Sequence, residues 1–163
     1  MSDLGSITAL RPGAARGLKL AACVATFNSA YTRRLLNSAH ARLKALGGGL
    51  EAVEWVPGAL ELPLAAQRLA RSGAYDAIIA IGCVIRGDTS HYDLVCEGAL
   101  QGLLRVSLDE SLPVIFGVIT TEDKAQALAR CSGGPHDAGR HAAEAAVMMA
   151  RPGPRSRTRI RKG

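Results

Sequence analysis

No Cys-x-x-Cys pair occurs among the four cysteines of this 163-residue chain, Cys23, Cys83, Cys96 and Cys131. Their wide spacing argues against a disulfide framework or a metal site, and for a reducing compartment. No apolar run is long enough to span a bilayer. The start, Met1-Ser2-Asp3-Leu4-Gly5, has neither the basic nor the apolar region of a secretory leader. A cytoplasmic protein without membrane contact is therefore expected. Aromatic residues are scarce, at 4%. No segment repeats another.

What is present suits one globular domain. Hydrophobic residues make up 48% of the chain, an ordinary share, and the length allows a sizeable core. The net charge of +6 is local. Arg155, Arg157, Arg159, Arg161 and Lys162 fall in residues 152–163, which hold no acid, and without these five the rest carries +1. A Pro/Arg/Gly tail cannot bury apolar surface and reads as a disordered, solvated end. Non-specific contact with nucleic acid is the weaker reading, because nothing in the rest of the chain supports it. Residues 1–17 read as a flexible lead-in and residues 18–151 as the single domain.

Leu18–Phe27 reads as a first strand, ended by the helix-start signal Asn28-Ser29. Residues 30–46 follow a helical period, with Tyr31, Leu35, Leu36, Ala39, Leu43 and Leu46 on one side. Gly47-Gly48-Gly49 stops this helix. Leu50–Val56 alternates and reads as a second strand, turned by Pro57-Gly58. A second helix is predicted from about Ala59 to Arg71, with Pro63 near its first turn. Tyr75–Ile85 is the third strand, His91 to about Leu108 the third helix, and Pro113–Thr120 the fourth strand. Thr120-Thr121-Glu122-Asp123 is an N-cap pattern before a short helix, Ala125–Arg130. Asp137 caps the last helix, Ala138–Ala150. Strands alternating with helices imply right-handed crossovers and a parallel sheet covered on both faces. The expected fold is a three-layer α/β/α sandwich with a four-stranded parallel, flavodoxin-like sheet. Its exposed edges and apolar helix faces suggest association with copies of itself.

One stretch organises the rest: Ala80-Ile81-Gly82-Cys83-Val84-Ile85-Arg86-Gly87-Asp88-Thr89-Ser90-His91-Tyr92-Asp93. It runs from a buried strand, through a glycine turn, to Ser90-His91-Tyr92-Asp93, a capping-box pattern at a helix start. Such a turn offers backbone N–H groups and the positive end of a helix dipole to an anion such as phosphate. His91 would stand beside that anion, able to move protons near neutral pH. A structural turn with a surface histidine is the plainer reading of the same residues. Ligands bind parallel sheets at the carboxyl ends of the strands. Those ends carry Phe27-Asn28, Val56-Pro57-Gly58, this turn, and the Phe116–Thr121 region.

At these positions the chain resembles the lumazine synthase family of riboflavin biosynthesis, over about Lys19 to Ala150. The resemblance rests on Phe27-Asn28, on Val56-Pro57-Gly58-Ala59-Leu60-Glu61-Leu62-Pro63, on Gly82 through Asp93, and on Pro113-Val114-Ile115-Phe116-Gly117-Val118-Ile119-Thr120-Thr121-Glu122. All of these occur in the family's order and spacing. The resemblance implies the condensation of 5-amino-6-(D-ribitylamino)uracil with 3,4-dihydroxy-2-butanone 4-phosphate, without metal or organic cofactor. It implies that Phe27 stacks on the pyrimidine, and that Asn28, Gly58, Ala59, Leu60 and Glu61 bind the same substrate, Glu61 accepting from ribityl hydroxyls. It implies that the backbone of Cys83, Val84 and Ile85 faces the pyrimidine. Gly87, Asp88 and Thr89 then match the phosphate turn, His91 the proton-transfer residue, and Phe116 and Arg130 residues supplied by a neighbouring subunit. Read alone, Phe27 and Phe116 also suit a core. Glu61 also suits a first-turn acid, and Arg130 a last-turn cation.

One segment departs from the family pattern. Where a lysine is expected after the arginine, His141 or the adjacent Arg140 stands, with His141 taken as the candidate phosphate contact there. The loop from Arg130 to His141 is also about three residues longer than in shell-forming relatives. The resemblance implies pentamers, and the longer loop and basic tail favour a free pentamer over a shell of twelve. A catalytically weak relative that binds a flavin or lumazine is the competing expectation.

Overall fold

A computed structural model describes residues 9–150. In chain order the elements are β1 (Leu20–Ala25), α1 (Ser29–Ala45), β2 (Leu50–Val56), α2 (Leu62–Arg71), β3 (Ala77–Ile85), α3 (His91–Asp109), β4 (Val114–Thr121), α4 (Lys124–Ala129) and α5 (Ala138–Ala150). A 3-10 turn, Ala59–Glu61, precedes α2, so the second helix starts later than its sequence suggests. The strands pair in the order β2-β1-β3-β4, all parallel. The expected three-layer α/β/α arrangement is observed.

The sequence explains the order. All six residues of β1 are buried, as are the first seven of β3, because both central strands are apolar on both faces. The edge strand β2 alternates instead, with Glu51, Val53 and Trp55 outward. On one side of the sheet, Leu20, Ala22, Val24, Ile79 and Ile81 meet Leu35, Ala39 and Leu43 of α1 and Ala143, Ala146 and Val147 of α5. On the other, Cys23, Ile78, Ala80 and Val118 meet Leu62 and Ala66 of α2 and Ala99 and Leu103 of α3. The period of two along each strand divides these sets. Small residues bring α5 close to α1. A Cβ added to Gly139 would run into the backbone carbonyl of Leu35.

Helix ends follow their chemistry in some places and not in others. Gly47 adopts φ +83 after α1, and the N–H of Gly48 returns to Leu43 O at 2.9 Å, a glycine stop. Asp123 caps α4, accepting from the N–H of Gln126 at 2.8 Å, while Gln126 Oε1 accepts from the N–H of Glu122 at 2.9 Å. Asp137 caps α5, accepting from the N–H of Arg140 at 2.9 Å. The capping box predicted at Ser90–Asp93 does not form. The Ser90 side chain caps nothing, and Asp93 is held by Arg86 instead. A charged partner outcompetes a neutral N–H for the carboxylate.

Part of the expected loose lead-in is packed. Residues 11–17 form turns, Ala14 and Ala15 are buried, and the N–H of Ala15 donates to Leu46 O at 2.9 Å. Residues 1–8 of that lead-in and the basic tail lie outside the described residues. Among the described residues, no helix is long and apolar enough to cross a membrane.

Candidate active site

The carboxyl ends of β1, β2 and β3 open into a cavity of about 390 Å³. It forms where the strands part into their loops. The exit of β1 is stitched to that of β2: the N–H groups of Thr26 and Phe27 donate to Val56 O at 2.8 Å and Pro57 O at 2.9 Å. The Thr26 hydroxyl lies 3.2 Å from Val56 O and 3.0 Å from Pro57 O. This fixes the backbone of Phe27, a residue 72% exposed at the cavity wall. Such exposure excludes the core reading of Phe27.

Asn28 follows in a left-handed conformation, φ 57 and ψ 40. Its side chain does not cap α1. It crosses to β3, where Nδ2 donates to Cys83 O at 2.9 Å. Pairing between β1 and β3 ends at Val24 and Ile81, so this amide continues the connection after β1 has turned away. Asparagine suits the place because it tolerates the left-handed region better than most residues.

The wall from β2 is the Gly58–Glu61 turn. A Cβ on Gly58 would sit 3.0 Å from Glu61 Oε2, so the glycine leaves room for that carboxylate at the cavity. Cys83, Val84 and Ile85 line the cavity from β3. Burial, and then the neighbouring Cys131, pushes the Cys83 thiol up to about 12. It stays protonated at neutral pH and is not a nucleophile.

The turn after β3 supplies the polar end. Among the described residues, the N–H groups of Gly87, Asp88 and Thr89 meet no acceptor. Three free N–H groups just before the 19-residue α3 are the kind of donors that suit an anion. His91, the first residue of α3, is exposed and lines the cavity with Gly87 and Thr89.

Twelve of the sixteen expected site residues line this one cavity. Asp88 lies in the turn with an exposed side chain but is not part of the lining. Phe116 on β4 is 38% exposed and outside the cavity. Arg130 is exposed at the end of α4, and His141 is exposed in the first turn of α5. Arg140, beside it, pairs with Glu144 at 3.2 Å, which also takes Arg42 at 2.8 Å. The sequence reading missed Ala25, Tyr92 and Val95 in the lining, and Thr26 behind it. Tyr92 carried a signal: it follows His91 directly, on the first turn of a helix already assigned to the site.

The sequence profile of the 6,7-dimethyl-8-ribityllumazine synthase family matches residues 17–152. The chain belongs to this family. It is 46% identical over 136 residues to 6,7-dimethyl-8-ribityllumazine synthase of Salinibacter ruber, covering 82% of this chain and 87% of that one. It is 47% identical over 133 residues to the synthase of that name from Coxiella burnetii, covering 80% and 88%. The lumazine synthase family consists of transferases of riboflavin biosynthesis that act on small molecules as oligomers.

Proposed function

We propose that the cavity joins 5-amino-6-(D-ribitylamino)uracil to 3,4-dihydroxy-2-butanone 4-phosphate, yielding 6,7-dimethyl-8-ribityllumazine, phosphate and water. The observation that carries this reading is the meeting of an aromatic wall, a hydroxyl acceptor, a free-amide turn and a histidine in one cavity of a family member. Phe27 stacks on the pyrimidine. Glu61 accepts from ribityl hydroxyls, and the backbone of Cys83, Val84 and Ile85 meets the ring edge. The N–H groups of Gly87, Asp88 and Thr89 hold the phosphate.

The residue types fit the steps. The amine attacks the ketone and gives an imine with loss of water. Phosphate then leaves by elimination, and the second amine closes the ring on the remaining carbonyl with loss of a second water. His91 moves protons in these steps. The anion seat stabilises the departing phosphate. Holding two substrates in register supplies much of the remaining acceleration. Nothing here requires a metal or an organic cofactor.

Phe116, Arg130 and His141 lie outside the cavity of their own chain. In this reading they complete the site of a neighbouring protomer, Phe116 covering the ring and Arg130 reaching the phosphate. Arg140 is committed to Glu144, which leaves His141 as the contact where a lysine was expected. The assembly is a free pentamer. Leu94, Leu104 and Leu108 on the outward face of α3 are 66%, 56% and 70% exposed, which favours burial between copies. A cytoplasmic location accords with four unpaired cysteines.

The test is to mix purified protein with both substrates and follow the lumazine by absorbance and fluorescence. Product well above the uncatalysed background is expected. Background-level formation by folded protein would replace this reading with that of a flavin- or lumazine-binding relative. Light scattering checks the assembly: a mass of five protomers is expected, and a sixty-protomer mass refutes the free pentamer.

A further inference from the structure

Arg86 opens the phosphate turn, and an arginine there invites the role of phosphate ligand. Its surroundings argue otherwise. Nε lies 2.8 Å from Glu122 Oε2, and Nη2 and Nη1 lie 3.2 and 3.4 Å from the two oxygens of Asp93. The guanidinium sits 4.2 Å from the centroid of the Tyr92 ring. Its own backbone N–H donates to Thr121 O at 2.9 Å. Arg86 is not part of the cavity lining, whereas Tyr92 is.

One side chain thus ties three elements together. Asp93 and Tyr92 belong to the first turn of α3, Glu122 follows β4, and Arg86 itself leaves β3. The Gly87–Ser90 segment is strung between these fixed points. It has few bonds of its own: among the described residues, Thr89 Oγ1 lies 3.4 Å from the N–H of His91, and Ser90 O accepts from Asp93. Its shape is set from its ends.

We propose that Arg86 is a positioning residue, a staple whose pairing with Asp93 and Glu122 and stacking on Tyr92 fix the anion-binding turn and the start of α3. It does not bind the phosphate itself. The planar fork of arginine meets two carboxylates and a ring face at once, which lysine cannot do. Small displacements of a positioned group reduce turnover steeply, by up to about 100-fold for an ångström. The proposal rests on the reading of the Gly87–Thr89 turn as the phosphate seat.

The decisive variants are Asp93→Asn and Glu122→Gln, both conservative and at exposed positions. Each removes a negative charge near the turn. If Arg86 were a phosphate ligand, releasing it from a carboxylate would tighten anion binding. A staple predicts the opposite sign. The probe is inorganic phosphate, read as its Kd by titration and as its inhibition constant in the turnover assay. Arg86→Ala is expected to weaken phosphate about tenfold and raise KM for the phosphorylated substrate alike, with KM for the pyrimidine unchanged. Asp93→Asn and Glu122→Gln each weaken phosphate by a smaller factor. Adding Glu122→Gln to Arg86→Ala changes nothing further, and Arg86→Lys restores little. Tighter phosphate binding in either carboxylate variant overturns the staple, as does full rescue by lysine. A wild type that binds phosphate but makes no lumazine overturns the proposed reaction and leaves the Kd series to judge Arg86. A wild type that turns over without binding phosphate at this turn overturns both the seat and the staple.

Discussion

Asn28 joins a strained backbone to a bond that spans the cavity floor, and three substitutions separate the two contributions. Asn28→Ala removes the Nδ2 bond to Cys83 O and places a residue without asparagine's tolerance at φ 57. The bond is worth about 1 kcal/mol net. The left-handed conformation costs an ordinary residue about 1–2 kcal/mol. The alanine variant is therefore expected to lose about 2–3 kcal/mol. Asn28→Gly loses the same bond without that steric cost, although the unfolded chain gains freedom worth about 0.5–1 kcal/mol. It should lose somewhat less, about 1.5–2 kcal/mol. Asn28→Asp keeps a residue at home in this conformation but sets a carboxylate against a carbonyl. Its loss should exceed that of glycine at neutral pH and ease as the carboxylate is protonated. Denaturant midpoints at one fixed protomer concentration measure the series, because assembly adds to apparent stability. An alanine variant as stable as the glycine variant refutes the backbone part. A glycine variant as stable as wild type refutes the bond.

Asp137 is 1% exposed. Burial pushes its carboxyl up, but the Ser38 hydroxyl and the N–H groups of Arg140, Gly133 and Gly139 outweigh that and hold it below the ordinary value. A depressed folded pKa contributes stability that is present above the unfolded pKa and is lost as pH falls through the folded one. Asp137→Ala should thus cost about 2 kcal/mol at pH 7 from its charge-assisted bonds, and the gap to wild type should narrow below about pH 4, as pH-dependent unfolding will show; a constant gap contradicts the assignment. Gly139→Ala drives a methyl into the Leu35 carbonyl and should lower the thermal midpoint through about 1–3 kcal/mol of overpacking, whereas an unchanged midpoint means α1 and α5 separate freely. His91→Ala should slow turnover by about 100-fold without abolishing it, since positioning and the anion seat remain; an unchanged rate removes its role in proton transfer.

Local signals carried much of the fold. The apolar runs of β1 and β3 are legible because both faces of a central parallel strand are covered. The sequence makes β1 and β3 too long, for a physical reason. Thr26 and Phe27 are apolar enough to extend the first run, yet they bond to the exit of β2 outside the ladder. Tyr75 precedes the first β1–β3 pair, Leu20 with Ala77. The helix period found Leu35, Ala39 and Leu43 and passed over Thr32, which is buried because its hydroxyl reaches Ala25 O at 2.8 Å. A polar residue joins a core when a partner meets it, and no periodicity announces that partner.

The site divides along the same line. Its cavity residues cluster at strand ends, where fold topology alone directs attention. The connections that hold them cross long sequence distances, such as Asn28 to Cys83 and Arg86 to Glu122. Ser90-His91-Tyr92-Asp93 shows the conflict at close range. As a string it is a capping box, and its own residues are sufficient to form one. The fold instead brings Arg86 to Asp93 and leaves the Ser90 side chain without a capping role. The short-range pattern loses because a forked ion pair is stronger than a neutral cap. A capping box would set the Asp93 carboxylate on the N–H of Ser90. With Asp93 drawn to Arg86, that N–H stays open beside those of Gly87, Asp88 and Thr89, and among the described residues none of the four meets an acceptor.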